Sequence, residues 1–139
     1  MGIKLEPLGT LSITISRQTF LAGTPEGGRL VGEAGSCRWD GERVHASQLG
    51  LSASDWVRIH HDSSVSVDAR ILLRTDDGAT IAMTYSGKAD KPPAEGGVIY
   101  TTPTFETDDD RYTWLNVIQA VGKGRRTGTS LVYELYALR

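Results

Sequence analysis

Three carboxylates stand where a proton could be moved. Asp55 opens a short alternating segment, Trp56-Val57-Arg58-Ile59-His60, and shares parity with Val57 and Ile59. Successive strand residues point to opposite faces, so Asp55 falls on the side whose other members are apolar. An inward carboxylate is costly unless it is paired or neutral, which raises its pKa. Asp55 is therefore a candidate general acid or base, with a loop-to-strand cap as the competing role. Asp68 and Arg70 share one face of another segment. They form either an outward polar surface or the wall of a polar cavity in which Arg70 keeps Asp68 ionised. Glu106, beside Phe105 and after Pro103, is a third candidate, with solvation at a rim as its alternative.

Hydrogen-bonding aromatic groups extend the set. Tyr112, Trp114 and Asn116 are expected on one face of a strand, with Tyr85 and Tyr100 from neighbouring elements. Such side chains combine apolar area with a polar handle and suit a planar or cyclic metabolite carrying a carbonyl or hydroxyl group. Trp114 simply filling a core is the alternative. His60 lies on the face of Trp56 and Arg58, either exposed or in a pocket wall. His60 and His61 point to opposite faces, and Cys37 is the single cysteine, so no metal site is expected. Gly122-x-Gly124 does not open a helix, and the chain lacks a nucleophile elbow and a His-Glu-x-x-His segment. No cofactor is expected.

These side chains need strands to hold them. Thr10 to Ser16 alternates polar and apolar residues, Arg29 to Ala34 does so more weakly, and Trp56 to His60 alternates again. From Ser64 to Arg74, Val65, Val67, Ala69, Ile71 and Leu73 share one face. Asp77-Gly78 reads as a type I′ hairpin turn leading into Ala79 to Ser86. Gly87 to Gly97, with Pro92 and Pro93, reads as the longest loop. Val98 to Thr102, Tyr112 to Val121 and Ser130 to Leu138 follow as strands, with Gly122 to Gly128 as the last connection. Ser47 to Trp56 has room for one helical turn, weakened by Gly50. Roughly eight to ten strands at hairpin spacing, with no crossover helix, imply one antiparallel all-β barrel over residues 1–139, with a two-sheet sandwich as the competitor.

Several stretches, in order, resemble a known family. They are Ser54-Asp55-Trp56, the run from Val67-Asp68-Ala69-Arg70 through Arg74-Thr75-Asp76-Asp77-Gly78-Ala79, Phe105-Glu106-Thr107, and Tyr112-Thr113-Trp114-Leu115-Asn116. Their spacing is similar to that of the small barrel proteins catalogued as domain of unknown function 3237, from about Leu8 to Leu138. Ala53-Ser54 stand where the family usually has two glycines, and Thr101 where an arginine often follows the aromatic. The resemblance implies a β-barrel and no particular reaction.

Composition bounds the rest. The chain has 139 residues, 39% hydrophobic and 23% charged, with a net charge of −2, which suits one globular domain. No Lys/Arg run exceeds Arg125-Arg126, so no nucleic acid is expected. No window approaches the ~18 apolar residues of a membrane helix, and no leader-like stretch opens the chain. A cytoplasmic protein without a membrane partner is expected, and a homodimer or higher oligomer is permitted. The functional expectation is a cofactor-free enzyme using acid–base chemistry of isomerase, lyase or cyclase type on a small, partly apolar metabolite. The alternative is a carrier that binds a small hydrophobic ligand in the same barrel cavity.

Overall fold

The computed structural model describes residues 1–139. Its strands are β1 (Leu5–Thr24), β2 (Gly27–Asp40), β3 (His45–Gln48), β4 (Ser54–Ile59), β5 (Val65–Thr75), β6 (Thr80–Ala89), β7 (Ile99–Thr101), β8 (Thr104–Glu106), β9 (Ala120–Thr127) and β10 (Ser130–Leu138). Every pairing is antiparallel. The ladder runs β5-β4-β2-β1-β10-β9-β7-β6 and returns to β5, a closed barrel that leaves no sheet edge round the ring. Strands β3 and β4 share the place between β2 and β5. Likewise β7 and β8 share the flank of β6. No helix is long and apolar enough to cross a membrane.

Alternation puts the interior together. On β5, Val65, Val67, Ala69, Ile71 and Leu73 are buried, while Asp68, Arg70 and Arg74 are exposed. On β1 the parity slips between Leu8 and Leu11, because a bulge at Gly9 adds a residue to the ladder. Gly9 has φ +111°, and a Cβ there would lie 2.2 Å from the carbonyl oxygen of Asp40. Only glycine fits.

One end of the barrel is filled by Trp39, which is fully buried and stacks on Phe105 at 5.1 Å between ring centroids. Its indole N–H donates to the Leu8 carbonyl at 2.7 Å. Leu73, Ile81, Met83 and Leu115 complete that end.

Four local expectations are corrected. Tyr112 to Val121 is not one strand: Thr113–Val117 is a 3₁₀ turn, and extended structure resumes at Ala120. Side chains take over from ladder bonds there. Tyr112 donates its hydroxyl to Asp77, while Asn116 accepts from the Thr107 N–H at 2.8 Å and donates to its carbonyl at 2.9 Å. Gly122 to Gly128 is mostly strand, because β9 runs on to Thr127. Its glycines leave space for side chains of β10: a Cβ at Gly124 would lie 2.4 Å from the Tyr133 ring. The turn after β5 is not type I′, since Gly78 takes positive φ and Asp77 does not. Thr75 N–H bonds to the Ala79 carbonyl instead, a wider loop closed by the left-handed glycine. Finally, Ser47 to Trp56 holds no helical turn: Ser47 and Gln48 end β3, Ser54 to Trp56 open β4, and Gly50 between them takes positive φ.

Candidate functional site

The other half of the barrel holds a cavity of about 70 Å³, open at the rim. Ile13, Leu30, Val57, Val67, Ile71 and Leu131 give it an aliphatic wall. Gln18, Glu33, Pro93 and Arg126 stand at the mouth. Two ionisable side chains interrupt the wall deeper in, Asp55 from β4 and Tyr85 from β6.

Asp55 owes its position to a gap in the ladder. Ser54 and Asp55 pair with Arg70 and Ala69, and Arg58 and Ile59 pair with Ser66 and Val65, but Trp56 and Val57 have no bridge to β5. The Asp68 N–H freed by that gap donates to Asp55 Oδ1 at 3.2 Å. Burial pushes the carboxyl up to about 6. The Asp68 N–H pulls it down, and the charge of Asp68 adds a smaller push upward. An acid poised there can give or take a proton near neutrality.

Tyr85 is buried, and its ring meets that of Tyr133 edge-on at 5.3 Å between centroids. Burial, then the neighbouring Tyr133 and the charge of Asp55, hold the Tyr85 phenol well above its usual range. Burial and Asp55 raise Tyr133 too. Both phenols therefore stay neutral and remain donors. The Tyr133 hydroxyl is buried without a hydrogen-bond partner, an orphan of the kind that calls for a functional or structural account. Burial pushes the Cys37 thiol up to about 12, which leaves it unreactive as a nucleophile.

The remaining candidate residues lie elsewhere. Asp68, Arg70 and Glu106 are exposed on the outer surface. So is Trp56, with the Arg29 guanidinium 5.9 Å from its ring. His60 Nε2 shares a hydrogen bond with Ser66 Oγ at 2.8 Å, outside the barrel. Tyr100 is exposed beside Lys123. Tyr112, Trp114 and Asn116 belong to the filled end, where Trp114 lies 3.6 Å under the Arg43 guanidinium. Ala69 lines the cavity and the turn after Thr75 is six strand residues away, or about 20 Å at ~3.3 Å per residue. The segments Thr75 to Ala79 and Tyr112 to Asn116, which carry the resemblance most specifically, thus brace the end remote from the cavity. Asn116→Ala is expected to cost about 1–2 kcal/mol in urea unfolding through its two backbone bonds, with ligand binding unchanged. Lost binding in a folded variant would place the ligand at the filled end of the barrel instead.

Sequence reasoning missed Tyr133 and Arg126. The alternation Leu131-Val132-Tyr133-Glu134-Leu135 carries the signal for the first, since it places Tyr133 with the two leucines. Nothing local marks Arg126 as inward, because its strand was read as a loop.

A small antiparallel barrel, filled at one end and opening at the other onto an apolar cavity with one raised-pKa acid, is the class of protein these observations define. The chain belongs to the family described as Protein of unknown function (DUF3237), whose model matches residues 3–138. The hydroalkoxylation enzyme phnH of Penicillium herquei is 33% identical over 61 residues, 44% of this chain and 35% of that enzyme. The match thus spans about a third of the curated relative. A β-barrel-like protein from Acinetobacter baumannii AYE superposes with a TM-score of 0.88 and 26% identity, covering 100% of this chain and 98% of the other. An enzyme from Penicillium herquei superposes with a TM-score of 0.79 and 20% identity, covering 100% and 96%. That last likeness is one of fold.

Proposed function

We propose that the protein is an enzyme that relocates a proton on a small, mostly apolar organic substrate held in the cavity. Asp55 is the acid–base group, and Tyr85, backed by Tyr133, donates to a substrate oxygen that gains negative charge. The observation that carries this reading is a carboxyl and a neutral phenol, Asp55 and Tyr85, set among aliphatic residues inside a mouth where Glu33 is the other acid. The partial likeness to a hydroalkoxylation enzyme agrees with it, since adding O–H across C=C is proton chemistry and needs no net oxidant.

A substrate carrying a hydroxyl group and a conjugated enone suits this pair of groups. Asp55 carboxylate takes the hydroxyl proton, and the oxygen forms a C–O bond to the β-carbon. The C=C π electrons move onto the carbonyl oxygen, where Tyr85 donates a hydrogen bond. The α-carbon then recovers a proton from Asp55, which returns to carboxylate. One O–H and one π bond break, and one C–O and one C–H bond form.

The test is a panel of o-hydroxyphenyl enones incubated with the protein in D2O. Cyclised product with one deuterium at the α-carbon is expected, with kcat/KM rising as pH passes through about 6, where Asp55 ionises. A pH-independent rate would remove Asp55 from the step, and no conversion of compounds that demonstrably bind would leave the carrier reading in its place.

A further inference from the structure

We propose that Arg126 at the cavity mouth, with Gln18 beside it, reads an anionic group, so that the natural ligand is an amphipathic organic acid with its apolar body in the barrel and its carboxylate at the rim. The inference rests on the cavity being the ligand site, as proposed above, and adds the class of ligand.

The placement comes from β9. Gly122, Gly124 and Arg126 share its inward face, and the two glycines are buried. Arg126 follows where the strand reaches the rim, and it is half-buried. Among the residues lining the cavity it is the one Lys or Arg. Its guanidinium is held by neutral acceptors: Nε donates to the Gly128 carbonyl at 2.8 Å and Nη2 to Gln18 Oε1 at 3.2 Å. Arg126 has no carboxylate partner, and it differs from the other unpaired arginines, Arg29, Arg43, Arg70, Arg74 and Arg125, in lining the cavity. Its charge and its remaining N–H groups are thus left for a ligand, with the fork geometry that suits a carboxylate. Glu33 also borders the mouth, but Arg17 holds it from across the strand pair at 3.5 Å.

Volume supports the same placement. A cavity of about 70 Å³ is smaller than the ~150 Å³ that accommodates benzene, so a guest with a ring must extend into the mouth. The part that extends comes level with Arg126. Asp55 lies on a different wall, since β2, β1 and β10 separate β4 from β9 round the ring. A substrate held at the rim by its carboxylate can therefore present another group to Asp55.

The experiment is calorimetric titration with 4-phenylbutanoate and its primary amide, which differ in charge and little in shape. Wild type is expected to bind the acid about tenfold more tightly than the amide, a preference that weakens as salt is added. Arg126→Gln is expected to bind both equally, while Arg126→Lys keeps a preference, which separates lost charge from lost folding. Arg125→Gln, whose side chain is exposed on the outer face, leaves the preference intact. Equal binding of acid and amide by wild type, or an undiminished preference in Arg126→Gln, overturns the anion subsite and leaves the cavity reading standing. Failure of both probes to bind wild type overturns both.

Discussion

Asp55→Asn is expected to unfold with a free energy up to about 3 kcal/mol higher than wild type near pH 8, while losing proton transfer by about 10²–10⁴-fold. The sign follows from linkage. The carboxyl titrates at about 6 in the folded protein and near 3.8 in the unfolded chain. Between those values the folded protein keeps a proton that the unfolded chain has released. Stability therefore falls as pH rises from about 4 to about 6 and stays lower above. A shift of about two units corresponds to about 3 kcal/mol at 1.36 kcal/mol per unit, an upper value because the cavity is open to solvent at its mouth. Asparagine has no such fall, and its amide oxygen still accepts the Asp68 N–H. Below about pH 4 the carboxyl is protonated in both states and the two proteins converge. Urea unfolding across this range checks it. Equal stability near pH 8 would show a solvated carboxylate and remove Asp55 as a poised acid. A stabler variant that retained turnover would instead place the chemistry on another group.

Gly124→Ala is expected to destabilise the barrel by about 2–3 kcal/mol, the upper range for inserting one methyl group into a filled interior. The added carbon would lie 2.4 Å from two atoms of the Tyr133 ring, which is 1% exposed and has no flexible end to withdraw. The ring must tilt, and the edge-on contact with Tyr85 goes with it. In a Tyr133→Leu background the same alanine is expected to cost less than about 1 kcal/mol, so the pair couples strongly in a double-mutant cycle. Equal costs in both backgrounds would mean that the glycine serves the backbone and not the ring. The proposed donor pair thus depends on an absent side chain on the adjoining strand.

Much of the barrel was legible in the sequence where the period of two ran unbroken. Val65 to Leu73 faces inward at every alternate residue, as its pattern dictates. The parity of Asp55 with Val57 placed that carboxyl on the inner face by the same rule. Reading failed where a bulge or a side chain changes the period. Gly9 shifts the inward set of β1, and on β2 the inward residues pass from Leu30, Gly32 and Ala34 to Cys37 and Trp39 across a register slip. Tyr112, Trp114 and Asn116 look alternate, yet their hydrogen bonds to Asp77 and Thr107 wind the segment into a 3₁₀ turn.

That the chain forms strands, that those strands have one apolar face, and that Asp55 shares it all follow from the order of residues. The reason is local: Cβ direction alternates along any extended backbone. Which end of the barrel is filled and which is hollow, the meeting of Tyr133 with Tyr85, and the place of Arg126 at the mouth come from the folded ring. Those facts depend on ladders between distant residues, such as Leu5 with Leu138 and Ile99 with Gly124. Their register is set by closing the ring, which no short window of residues contains.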